Sequence, residues 1–112
     1  MNSNKPLDST YVNAAATGAV SLNLTNTIFN LTLSGNTTLS YTGAPTLSSS
    51  TYSMVVKVTQ PGTAYSLTWF ANITWLTSGG TAPAAPAVSK TIEYVLTTTD
   101  GTNWVGRKGA AT

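Results

Sequence analysis

Apolar and polar residues alternate along much of this chain, and short turn-forming groups interrupt the alternation at intervals. The clearest runs are residues 52–60 and 91–98. Their apolar faces consist of Tyr52, Met54, Val56 and Val58 in the first run and of Ile92, Tyr94 and Leu96 in the second. A period of two is typical of strands buried on one face, and turn signals roughly every 8–12 residues are typical of small β-domains. We therefore predict an all-β fold: a single antiparallel, jelly-roll-like β-sandwich without long helices.

Shorter alternating runs predict the remaining strands, at residues 20–24, 28–33, 37–41, 65–69, 72–75 and 103–105. Ser34-Gly35-Asn36 predicts a turn, after which residues 37–41 pair back. Pro61-Gly62 predicts a turn in which the proline presets φ and Gly62 takes a positive φ. Asp100-Gly101 predicts the turn of a β-hairpin.

The residue pattern divides the chain into three parts. Residues 1–10 are polar, contain Pro6 and show no periodicity, so we expect an extended N-terminal arm. Residues 11–106 are expected to form the β-sandwich domain, and residues 107–112 a short C-terminal tail. The N-terminus lacks the apolar stretch of a signal peptide, and no apolar run approaches the ~20 residues needed to cross a membrane.

The chain carries little charge. Charged residues make up 7% of it, and the net charge is +2. Its 22 threonines and 12 serines therefore supply most of the polar surface, and threonine also favours strands. Five basic residues are too few and too scattered to form a nucleic-acid footprint. Such a surface suits contact with copies of the same chain or with a large partner.

Reactive side chains are scarce. His and Cys are absent, which excludes Ser-His-Asp and Cys-His catalysis and any zinc site with nitrogen or sulfur ligands. A carboxylate-pair hydrolase would have to use Asp8, Glu93 and Asp100, which are expected in the arm, on a strand and in a turn. Asp100-Gly101 lacks the clustered carboxylates of a calcium loop. We expect a protein that is not an enzyme and has no cofactor or metal.

The three tryptophans, Trp69, Trp75 and Trp104, lie in the last part of the chain. Tryptophan buries a large apolar area, so these residues are expected to fill the core or a subunit interface. The alternative is a platform on which sugar rings stack, which requires exposed ring faces.

Several short motifs follow one another in a distinctive order. They are Gly35-Asn36-Thr37-Thr38-Leu39, Lys57 to Gly62, Leu67-Thr68-Trp69, Ile73-Thr74-Trp75, Gly79 to Pro83 and Thr99 to Gly106. This order, across about residues 12–106, resembles a β-domain that recurs in bacteriophage virion proteins, including tail fibres, head fibres and small capsid proteins. Relatives often have Trp-Pro where this chain has Trp69-Phe70. The resemblance implies a β-sandwich, commonly assembled as a trimer, that serves as a structural or adhesion module.

A fibre needs a shaft or a docking domain, and the β-domain occupies nearly all of this chain. We therefore expect a capsid decoration (cement) protein on the exterior of the virion, made in the host cytoplasm. Its expected partners are the major capsid protein and itself, as a homotrimer, with no nucleic acid and no membrane. The expected capsid contacts in the arm are Asn2, Ser3, Asn4, Lys5, Pro6 and Leu7. The alternative is a short tail- or head-fibre module that binds host glycans.

Overall fold

The computed structural model of the chain describes residues 9–112, apart from the side chain of Ser78. The strands are β1 (Thr10–Asn23), β2 (Ile28–Thr42), β3 (Tyr52–Thr59), β4 (Leu67–Thr68), β5 (Ile73–Trp75), β6 (Thr91–Thr98) and β7 (Trp104–Ala111). In the described part of the chain the one helical element is a 3-10 turn at Ser78–Gly80. The prediction of an all-β fold is confirmed.

The strands form one mixed sheet rather than an antiparallel one. Its order is β1-β2-β3-β6-β7-β5, and β4 pairs with β2 away from this path. β3, β6 and β7 are antiparallel neighbours, whereas β1, β2 and β3 run parallel, as do β2 with β4 and β5 with β7. The antiparallel part of the fold prediction is therefore wrong, because strand partners are chosen by contacts far apart in sequence that a local pattern does not encode.

The pairing of β1 with β2 shows that both strands bend strongly. The strands are parallel, yet only residues 24–27 connect them. A straight strand as long as β1 would extend about 45 Å, whereas this connection reaches at most about 18 Å. The chain therefore curves back on itself: the Ser9 carbonyl accepts hydrogen bonds from the N–H groups of Thr27 and Ile28. β1 makes one turn of a solenoid, and β2 stacks on it as the next turn. We call these two stacked strands the coil.

The turn predicted at Ser34-Gly35-Asn36 is absent, because β2 continues through this segment and pairs with β1 both before and after it. The chain bends here without reversing direction. Gly35 allows a close approach to the neighbouring strand, since a Cβ on it would lie 2.2 Å from the Thr17 hydroxyl oxygen. β1 bends at the same level, with two register shifts between Asn13 and Gly18 and a φ of +67° at Gly18.

Both ends of the sheet extend beyond the predicted domain. β1 begins at Thr10, within the predicted arm and well before the first alternating run. Residues 1–8, which include the predicted capsid contacts from Asn2 to Leu7, lie outside the described residues. At the other end, β7 runs through Ala111, so residues 107–111 belong to the sheet rather than to a tail. Pairing with β6 orders them, and Thr112 continues it with a 2.9 Å bond from its N–H to the Thr91 carbonyl.

The core lies on the inner face of the sheet. The faces predicted for residues 52–60 and 91–98 are confirmed, because Met54, Val56 and Val58 of β3 and Ile92, Tyr94 and Leu96 of β6 are buried. The coil and the aromatic residues complete the core. Its other large buried side chains include Leu22, Phe29, Leu31, Leu33, Leu39, Trp75 and Trp104.

Candidate functional site

The predicted aromatic residues form a connected cluster on the inner face of the sheet. Trp104 is 1% exposed, and its ring makes edge contacts with Tyr41, Tyr52 and Phe70 at centroid distances of 5.3, 5.9 and 5.5 Å. Trp69, which is half-buried, contacts Trp75 at 5.3 Å and Tyr94 at 5.0 Å. Because Trp104 and Trp75 are buried, neither presents a ring face on which a sugar could stack.

Two tyrosines of the cluster anchor loops to the sheet. The Tyr94 hydroxyl donates a 2.9 Å hydrogen bond to the Ala84 carbonyl in the long connection between β5 and β6. The Tyr52 hydroxyl donates to the Asn26 carbonyl in the connection between β1 and β2. Burial raises the pKa of both tyrosines to about 12, so both remain protonated donors at neutral pH. Their polar ends are occupied by the fold.

The carboxylate of Asp100 is also used within the fold. It accepts hydrogen bonds from the N–H groups of Asn103 and Thr102, both at 2.8 Å, and from the Asn103 side chain at 3.0 Å. These bonds hold the pKa of Asp100 well below its ordinary value, and the bond from the Asn103 N–H contributes most. The result is the turn predicted at Asp100-Gly101, with a φ of +81° at Gly101.

The structure does not bring the candidate carboxylates together. Glu93 lies near the start of β6, and the Asp100 carboxylate lies 3.2 Å from the Thr98 hydroxyl at its end. Five residues of extended strand, roughly 16 Å, separate these two positions, more than a carboxylate pair acting on one bond allows. Asp8 is outside the described residues. No group of three metal-ligating side chains occurs among residues 9–112.

The outer face of the sheet is an open surface. Strand alternation places Ile28, Val55 and Val95 in one row across β2, β3 and β6, and Arg107 of β7 continues that row. The adjacent row contains Val12, Asn30, Lys57 and Glu93. Val12 is 64% exposed, and Lys57 and Arg107 are exposed as well. This arrangement, which we call the outer face, combines apolar side chains with both signs of charge.

Two shallow clefts lie on the outer face. The larger, about 310 Å³, is lined by Lys57, Thr91, Glu93, Ala110, Ala111 and Thr112. The smaller, about 160 Å³, is lined by Thr27, Ile28, Ser53, Met54, Val55 and Val95. Lys57 and Glu93, which line the larger cleft, are each two residues along the strand, roughly 7 Å, from Val55 and Val95, which line the smaller one. The outer face therefore has relief that side chains of a second surface could fill.

The edge formed by β1 is the second open surface. β1 ends the strand order, so one side of its 14-residue backbone has no neighbouring strand within residues 9–112. It contains neither a charged residue nor a proline. Unpaired N–H and C=O groups along such an edge can hydrogen-bond to an extended segment of another chain. The sequence pattern did not indicate this edge, because residues 10–19 are mostly small or polar and show no sustained apolar alternation.

In comparisons with known proteins, no protein-family model, curated protein or solved structure matches the chain. Among the described residues there is also no helix long and apolar enough to span a membrane.

Proposed function

We propose that this protein is a non-enzymatic component of a bacteriophage virion, a capsid decoration (cement) protein that binds the assembled capsid as a homotrimer and stabilises it. The observation that carries the proposal is the open 14-residue edge of β1, uncharged and free of proline. The ordered motifs that resemble phage virion domains supply the biological setting. In its finer detail, the proposed domain is a two-layer, jelly-roll-like sandwich.

The physical basis of cementing is selective binding to the assembled state. A ligand that binds only the assembled shell stabilises it by an amount that grows with occupancy, about 2.7 kcal/mol per site at a ligand concentration 100 times Kd. The proposed contacts with the major capsid protein are made by the arm residues that directly precede β1. Contacts between copies would be made through the open edge of β1, so they would lie beside the arm residues that contact the capsid.

The polar composition of the surface is consistent with such a role. β1 and β2 together contain no charged residue, so close approach of a second surface does not require desolvation of charged side chains. Their exposed positions are mostly Ser, Thr, Asn and small residues, which can hydrogen-bond across an interface at small conformational cost. A surface of this kind favours packing against a large, preformed partner.

The test compares particles of the phage that encodes the chain with and without the protein. Particles lacking it should release their DNA at a lower temperature, measured with a dye that fluoresces on bound DNA, and adding the purified protein back should restore the release temperature. A copy number in the hundreds per particle, from quantitative mass spectrometry, is also expected. Equal thermal release in the presence and absence of the protein, or only a few copies per particle, would contradict the proposal.

A further inference from the structure

The outer face carries charges that have no partner among residues 9–112. Lys57 of β3 and Glu93 of β6 lie directly opposite each other in the antiparallel register. Neither they nor Arg107 make an ion pair with any residue from 9 to 112. Val55 and Val95 are directly opposite each other in the next row. The two middle rows that β3 and β6 present on this face are therefore one of two valines and one of a cation beside an anion.

This pattern is complementary to itself. Consider a two-fold axis that lies above the outer face and runs parallel to the strands, midway between β3 and β6. Rotation about it places β3 of one copy over β6 of the other, so Lys57 faces Glu93 of the second copy twice, and Val55 faces Val95 twice. A two-fold interface requires that a surface patch match itself in this way. The sheets of two copies can pack with strands nearly aligned, as inner faces of sandwiches do.

We propose that two copies of this chain associate face to face through the outer face, with Lys57 of each copy paired to Glu93 of the other. The valines of the two copies bury against each other beside the two charge pairs, and Arg107 of each copy lies opposite Ile28 of the other at the margin of the contact. The clefts receive side chains of the second copy. The inference concerns the free protein and does not depend on the proposed function. The edge of β1 stays open in this dimer, so contacts made through that edge can coexist with it.

The experiment uses charge reversal and mixing, with molar mass measured by light scattering after size exclusion over a range of protein concentrations. The wild-type protein should show twice the mass shown by Lys57→Glu or by Glu93→Lys alone, because each change turns two attractive contacts into two repulsive ones. The dissociation constant should rise at least tenfold. An equimolar mixture of the two variants should regain the wild-type mass, since opposite charges then face each other at both contacts across the interface.

Mixing separates a contact between copies from a contact within one copy. A cross-strand pair inside the chain could be repaired in the double variant Lys57→Glu/Glu93→Lys, but never by mixing single variants. Lys90→Glu is the matched control: it makes the same charge change at an exposed position just before β6, outside the strands, and should leave the mass unchanged. If either charge-reversed protein fails to fold, Lys57→Gln and Glu93→Gln remove the same contacts without like-charge repulsion.

Three results would overturn the proposal. The first is a wild-type protein that has the same mass as Lys57→Glu at every concentration. The second is a mixture of single variants that keeps the lower mass. The third is a Lys90→Glu protein that dissociates as readily as Lys57→Glu, because the effect would then follow net charge rather than position on the outer face.

Discussion

Replacement of Gly106 by alanine tests the contact that fixes β5 to β7. Gly106 pairs with Trp75 of β5, and a Cβ on it would lie 2.7 Å from Cε3 and Cζ3 of that ring and 3.0 Å from Cγ2 of Ile73. Ordinary carbon contacts are about 3.5–4.0 Å, so the ring or the strand must move by roughly 1 Å. Trp75 is 7% exposed and contacts Trp69, so the movement spreads into the aromatic cluster.

The expected cost combines two opposing effects. Overpacking of this kind costs about 1–3 kcal/mol. Removal of the backbone freedom of glycine in the unfolded chain returns about 0.4–1 kcal/mol, because Gly106 does not have a positive φ. We therefore expect Gly106→Ala to lower the free energy of unfolding by about 1–2 kcal/mol, and Tm by roughly 5–10 °C.

Urea unfolding followed by tryptophan fluorescence measures this change. Gly62→Ala is the matched control: a Cβ there meets no heavy atom within 4 Å, and Gly62 has no positive φ. That variant should be as stable as the wild type or more stable by up to about 1 kcal/mol. A Gly106→Ala protein with the stability of Gly62→Ala would refute the close contact between β7 and the Trp75 ring.

Three further changes test the polar and aromatic parts of the fold. Gln60 is 2% exposed; its side-chain amide donates to the Tyr65 carbonyl (2.7 Å) and accepts from the Tyr65 N–H (3.1 Å). Gln60→Leu removes both bonds and should lower the free energy of unfolding, measured in urea, by about 2–4 kcal/mol. An unchanged stability would contradict these bonds. Trp104→Ala should cost about 3–5 kcal/mol by leaving a large cavity in the core, whereas an unchanged Tm would show that the ring is not buried. Asp100→Asn should be less stable than the wild type at neutral pH. Because the pKa of Asp100 in the folded protein lies below the ordinary 3.8, the stability difference should shrink as the pH falls below 3.8. A stability difference that does not change with pH would show that the carboxylate does not cause it.

The strands that the sequence predicted well are those in which local pattern and burial agree. Residues 91–98 match β6 at both ends, and residues 52–60 match β3 to within one residue. In both, large or β-branched apolar residues occupy every second position, so one strand register alone buries them. The turn at Asp100-Gly101 could be predicted equally well, because the positive φ at Gly101 favours glycine.

The coil made by β1 and β2 could not be predicted in this way. Residues 10–19 consist largely of small and polar side chains, so their extended conformation depends on hydrogen bonds to β2 rather than on a buried face. Ser34-Gly35-Asn36 has the composition of a turn, but a neighbouring strand on both sides of it keeps the chain in the sheet. Pro61-Gly62 lies in a connection, as predicted, yet Gly62 lacks the predicted positive φ.

The outer face could be predicted only in part from the sequence. Alternation alone places Val55 and Lys57 away from the core on one strand, and Glu93 and Val95 away from it on another. What alternation cannot show is that these strands are neighbours, or that their register sets Lys57 opposite Glu93. A shift of two residues would keep every side chain on its face and remove this opposition, so the self-complementary pattern is a property of the register.

The two open surfaces differ in how far association through them can extend. A straight, uncharged edge would pair with further strands along its whole length and risk open-ended aggregation. β1 is interrupted: its register shifts between Asn13 and Gly18, and Gly18 takes a positive φ. An added strand can therefore follow β1 regularly only over residues 10–13 and 18–23, about four and six residues. Bends of this kind limit the edge to short contacts of defined register, whereas a two-fold contact through the outer face closes after two copies.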